Sequence, residues 1–79
     1  MYIEIVSPDR QVFSGEIKMV QVPGTKGSFE IFSNHAPIIS TLNSGKITLR
    51  ESSGEEKTFE IKSGVIEAAN NNIVVLAEE

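Results

Sequence analysis

Between its glycines and prolines the chain alternates. In "YIEIV" (2–6) Ile3 and Ile5 share one phase. In "KITLR" (46–50) Ile47 and Leu49 alternate with Lys46, Thr48 and Arg50, and in "KTFEIK" (57–62) Phe59 and Ile61 alternate with Thr58, Glu60 and Lys62. A period of two places every second side chain on one face, the mark of a half-buried strand. Pro8, Gly15, Pro23-Gly24, Gly27, Pro37, Gly45, Gly54 and Gly64 punctuate the chain. They fall at roughly eight- to ten-residue intervals, the rhythm of a sandwich or barrel of short strands. Ser52-Ser53-Gly54-Glu55 reads as a hairpin connection between two of them. No stretch carries an amphipathic helix of useful length, so the pattern predicts an all-β domain.

Two segments depart from simple alternation. In "EIKMVQVPG", Ile17 and Met19 share one phase while Val20 and Val22 share the other. A phase change inside one strand predicts a bulge or bend where the strand passes from one sheet to another. "IVVLA" (73–77) is apolar on both phases. Such a strand is either covered on both faces or carries one face that awaits a partner. Asn70, Asn71 and Asn72 precede it and tolerate the left-handed backbone of a turn. "PGTKG" (23–27) lacks the Gly-Lys-Ser/Thr ending of a phosphate-binding loop and has no helix after it, so it reads as a turn.

Length and composition narrow the function classes. Seventy-nine residues make one domain, 1–79. A chain near this size buries only about 60% of its unfolded surface, so its core is modest. Cysteine is absent, which removes disulfides, thiolate chemistry and Cys-based metal sites. The net charge is −4, and seven basic residues are scattered among eleven carboxylates. Phosphate recognition needs clustered Lys and Arg, so nucleic acid is not an expected partner. No apolar run approaches the about 18 residues of a membrane helix, and "MYIEIVSPD" has no signal-peptide layout. A soluble protein is expected, one that reaches a membrane only through a partner.

The search for catalytic groups finds little. Glu55-Glu56 falls in the predicted hairpin loop and Glu78-Glu79 at the end of the chain, where paired carboxylates are ordinarily solvated. The only histidine is His35, in "GSFEIFSNHAPIIS" (27–40). One imidazole cannot build a zinc or iron site, and no nucleophile-elbow pattern accompanies it. Pro37 pushes Ala36 toward extended backbone, so "NHAP" leads naturally into the strand "IIST". His35 then either bonds neighbouring backbone and stiffens the loop, or touches a partner, with catalysis a distant third. No catalytic residue, cofactor or metal is expected.

The ordered motifs carry more. Ser-Pro-Asp (7–9), Val-Phe-Ser-Gly-Glu (12–16), Pro-Gly-x-x-Gly-x-Phe (23–29), His-Ala-Pro (35–37), Gly45 before a strand, Val-Ile-Glu (65–67) and Leu-Ala-Glu (76–78) follow one another across nearly the whole chain. This set resembles the N-terminal β-sandwich domain of the epsilon subunit of bacterial F-type ATP synthase. Glu30 stands where that family usually has glycine, Ser33 replaces a common proline, and Ser63 replaces the first of two glycines. The chain ends at Glu79, before the two-helix C-terminal domain that many members add. The resemblance implies a ten-stranded sandwich of two sheets and a non-catalytic rotor subunit. Such a subunit fastens the gamma subunit to the ring of c subunits and couples ion flow to ATP synthesis. It would be monomeric within the complex, peripheral on the cytoplasmic face of the bacterial inner membrane. Carried over by position, Ser7, His35, Ala36, Ile38 and Ser40 are expected near gamma, and Ser28 and Glu30 near the c ring. The alternatives are a free-standing β-sandwich that binds a carbohydrate or peptide, and an unnoticed hydrolase. With no Trp and only one Tyr, the first lacks the aromatic platform such sites favour.

Overall fold

The computed structural model describes residues 1–79. It contains eight strands and no helix: β1 (Tyr2–Val6), β2 (Gln11–Val22), β3 (Phe29–Phe32), β4 (Ile38–Leu42), β5 (Gly45–Glu51), β6 (Glu56–Ile61), β7 (Ser63–Ala69) and β8 (Asn72–Glu78). They form one continuous sheet in the order β4-β7-β8-β1-β2-β5-β6, with β3 also paired to β2.

The twelve residues of β2 explain the architecture. Its first half pairs with β1, from Val6↔Gln11 to Tyr2↔Glu16. Its second half pairs with β5 on one edge and with β3 on the other. The register against β5 slips between Ile17 and Met19, where the sequence changes phase. Lys18 stays in solvent there while Ile17, Val20 and Val22 are fully buried. An extra residue of this kind sharpens the local twist and bends the strand. The sheet therefore folds over at β2 into two arms whose inner faces meet. The expected ten strands in two separate sheets are thus eight strands in one curled sheet, because β2 runs unbroken through the corner and belongs to both arms.

One core fills the space between the arms. Ile3, Ile5, Ile66, Ile73 and Val75 reach it from the first arm (β4, β7, β8, β1), and Val20, Val22, Ile31, Ile47 and Leu49 from the second (β2, β3, β5, β6). The alternation read in "YIEIV" and "KITLR" holds, with Ile3, Ile5, Ile47 and Leu49 all at 0% exposure. The connections follow the turn chemistry. Gly54 adopts φ +101° in the β5–β6 hairpin, and Asn70 and Asn71, at φ 54° and 61°, form the loop between β7 and β8. Two left-handed residues in succession match the twist of the flanking strands, which Asn tolerates well.

Gly24 is needed for space. A Cβ on it would sit 2.7 Å from the carbonyl oxygen of Gly27 and 2.8 Å from the Phe29 ring. This close packing lets the end of β2 bridge across to β4, with Thr25 N–H donating to Thr41 O (3.0 Å) and Asn43 N–H to Pro23 O (2.8 Å). These bonds tie one arm to the other.

Candidate functional site: the outer face of the first arm

Register places the outward side chains of the first arm in rows. Glu4, Val74, Glu67 and Ile39 lie side by side across β1, β8, β7 and β4. The next row holds Val6, Leu76, Val65 and Thr41. Four of these side chains are large, apolar and in water: Ile39 (71% exposed), Leu76 (58%), Val65 (39%) and Val74 (37%). Adjoining Leu76 is a cleft of about 300 Å³ lined by Val6, Ser7, Pro8, Gly64, Ala77 and Glu78. An exposed apolar face of this kind on a small domain is a candidate docking surface. The two-phase apolarity of "IVVLA" thus resolves into Ile73, Val75 and Ala77 in the core and Val74 and Leu76 in solvent.

The electrostatics of the face are one-sided. β1, β4, β7 and β8 contain no Lys or Arg, whereas β2, β5 and β6 carry Lys18, Lys46, Arg50 and Lys57. The carboxylates of Glu4 and Glu67 form no ion pair; Glu4 only accepts a hydrogen bond from Gln11 Nε2 (3.2 Å). Arg10, in the β1–β2 turn, is held by Glu79 through Nε (3.1 Å) and Nη2 (2.7 Å).

The residues singled out from sequence sit around this face in different ways. Ser7 is buried, and its hydroxyl is used inside the Ser7–Arg10 turn: it accepts from Asp9 N–H (3.3 Å) and Arg10 N–H (3.2 Å) and lies 3.2 Å from Arg10 O. His35 and Ala36 occupy the exposed loop between β3 and β4. His35 Nδ1–H donates to Ala36 O at 2.7 Å, so the ring bonds its own loop. The preceding Asn34, at φ 65°, fastens that loop to the β7–β8 turn. Its N–H donates to Asn71 Oδ1 (2.7 Å), and Asn71 Nδ2 donates to Asn34 Oδ1 (3.0 Å).

Ile38 and Ser40 take the inward phase of β4, opposite buried Ala68 and Ile66, and are half-buried. The outward phase belongs to Ile39 and Thr41, which the sequence could not separate from their neighbours. Ser28 is exposed and accepts from Gln21 Nε2 (3.2 Å). Glu30 is exposed on β3, opposite Gln21. Ser28, Ile38 and Ser40 line one groove of about 630 Å³ between the 25–29 segment and β4. Glu30 lies outside it, on the outer face of the second arm. No group of three or more His, Cys, Asp or Glu side chains is arranged to hold a metal.

Comparison with known proteins gives this geometry its context. The family model for the ATP synthase delta/epsilon chain β-sandwich domain matches residues 1–79. The chain belongs to that family. It is 38% identical over 78 residues to the ATP synthase epsilon chain of Caulobacter vibrioides, covering 99% of this chain and 90% of that one. It is 42% identical over 77 residues to the epsilon chain of Dichelobacter nodosus, covering 98% of this chain and 54% of that one. The chain thus spans nearly all of the first relative and about half of the second. The fold matches a chain in the central stalk and c-ring structure of the Tetrahymena thermophila mitochondrial ATP synthase, with a TM-score of 0.84 at 14% identity, covering 100% of this chain and 63% of that one.

Proposed function

We infer that this chain is an epsilon-type subunit of an ATP synthase rotor and that it works as a mechanical coupler without chemistry of its own. The whole-length match to the delta/epsilon β-sandwich family is the observation that carries this reading. The outer face of the first arm docks on the gamma subunit, since it holds Ile39, Val65, Val74 and Leu76, four of the six large apolar side chains left in water. Ser7 supports it by holding the β1–β2 turn at the edge of the Leu76 cleft. His35 and Ala36 extend the contact along the loop pinned by Asn34 and Asn71, and Ile38 and Ser40 border it on the groove side. Ser28 and Glu30, across the groove and on the second arm, face the polar loops of the c ring.

Gamma, this subunit and the ring then turn as one body, and ion flow through the ring drives ATP synthesis in the catalytic head. The chain sits peripherally on the cytoplasmic face of the membrane through these partners. No helix long and apolar enough to cross a membrane is present.

Calorimetric titration against the cognate gamma subunit tests the reading. Saturable one-to-one association is expected, and Ile39→Asp is expected to weaken it while leaving the circular dichroism of the sheet unchanged. A folded wild-type chain that fails to bind gamma, alone or with the c ring, overturns it.

A further inference from the structure

We propose that Glu4 and Glu67 are specificity-determining residues of the docking face, each pairing with a cationic side chain of the partner on either side of an aliphatic ridge that covers Val74 and Leu76. The proposal rests on the docking role given above and adds the chemistry of the partner surface. Three features of the molecule carry it.

The first is position. Glu4 on β1 and Glu67 on β7 both pair with Val74 of the intervening β8, so they flank it in one row. Two inter-strand spacings separate them, roughly 10 Å. The second is their unpaired state. Four ion pairs form elsewhere in the molecule: Met1 amino group–Glu16, Arg10–Glu79, Arg50–Glu56 and Lys57–Glu51. Neither Glu4 nor Glu67 takes part, and β1, β4, β7 and β8 supply no cation. The third is their setting. Each stands beside exposed aliphatic side chains, Val74 between them and Ile39 next to Glu67, on the surface a partner would dehydrate.

A carboxylate covered without a counter-charge opposes association, because its hydration is lost and nothing replaces it. Two such groups flanking Val74 therefore select a partner that brings two cations at matching spacing and discriminate against apolar surfaces that do not. On a helix laid across the strands, residues i and i+7 lie on one face about 10.5 Å apart, which fits this row. Gln11 favours the arrangement on one side by holding the Glu4 carboxylate on the face.

The test is a titration of the full chain against the cognate gamma subunit at about 20 mM and about 500 mM salt, below and well above the screening range of exposed charges. The Glu4→Gln/Glu67→Gln double variant is compared with wild type, with Glu60→Gln on β6 as a control on the other arm. Both substitutions keep size and sit at solvent-facing positions, so folding is expected to be unaffected and is checked by thermal unfolding. The double variant is expected to bind about tenfold more weakly at low salt and to keep part of that loss at high salt, because covered pairs are screened less than exposed ones, with Glu60→Gln matching wild type throughout. Unchanged affinity at low salt overturns the ion-pair assignment. Leu76→Asp separates the two levels. Lost binding in that variant alongside an unaffected double variant leaves the docking face standing without its charged contacts. Wild-type binding by Leu76→Asp removes the docking face, and this proposal with it.

Discussion

The two arms share one core but differ on their outer faces. Outward from the second arm point Gln21, Glu30, Thr48 and Thr58 in one row, with Arg50 and Glu56 paired at 3.6 Å in the next. Outward from the first arm point Ile39, Val65, Val74 and Leu76, with Glu4 and Glu67 unpaired among them. Phe32, 55% exposed on β3, is the one large apolar side chain in water on the second arm, whereas the first arm gathers these four. Both have the same strand geometry and inner alternation, so the difference lies wholly in which residues occupy the outward phase. In a small domain, stability and interaction can thus be written on opposite phases of the same strands.

The sharpest way to break this contrast is to place one charge on each face. Leu76→Asp is expected to lower affinity for gamma by at least about a hundredfold, on the order of 3 kcal/mol, as for a central apolar anchor. Thr58→Asp is expected to change it by less than about threefold, because β6 lies at the far end of the sheet. Isothermal titration of both variants settles it, and equal losses would dissolve the distinction between the faces.

The seam that holds the arms together comes next. Gly24→Val drives a branched side chain into the Gly27 carbonyl and the Phe29 ring. A cost of about 2–3 kcal/mol in urea unfolding is expected, as for overpacking at a tight site. Gly27→Ala, with open space around it but φ +124°, is expected to cost less.

Asn71→Ala removes both hydrogen bonds to Asn34 and puts alanine at φ 61°. Stability is expected to fall by about 1–2 kcal/mol, since two effects add: lost bonds at an exposed site and a strained backbone. Asn71→Gly relieves the strain and should recover part of that loss. If the His35 loop is held for docking through this clasp, both variants also weaken gamma binding, while Asn72→Ala does not.

The smallest effect belongs to the outer face of the second arm. Glu56→Gln breaks the Arg50 pair, whose side chains are 51% and 54% exposed. Solvent screening leaves such a pair little weight, and a change within about 0.5 kcal/mol is expected. A larger loss would mean that the second arm relies on its surface charges after all.

Much of the fold was legible in the chain. Strict alternation in "YIEIV", "KITLR" and "KTFEIK" identified buried and exposed phases correctly, because the pleat leaves an alternating strand only one way to bury its apolar half. The phase slip at Ile17–Val20 marked the corner of the sheet before any pairing was known. Residues with two apolar neighbours were the hard cases. Nothing local says that Ile39 faces out and Ile38 in, or that Leu76 faces out and Val75 in. The likeness to known epsilon chains named Ile38 and Ser40, which lie in the inward phase of β4, and not Ile39, which faces out.

What the chain by itself determined was its class: all strand, turned by Gly, Pro and Asn, acidic, without Cys, and carrying the ordered motifs of the delta/epsilon family. Those features are local, set by periodicity, backbone freedom and composition. Only the tertiary structure decided that β1 pairs in parallel with β8, the first strand beside the last. That pairing spans nearly the whole chain, so no short window of sequence contains both partners. It sets Glu4 beside Val74, across from Glu67 on the far side, and adds β1 to the surface that the β4–β7 and β7–β8 pairings form.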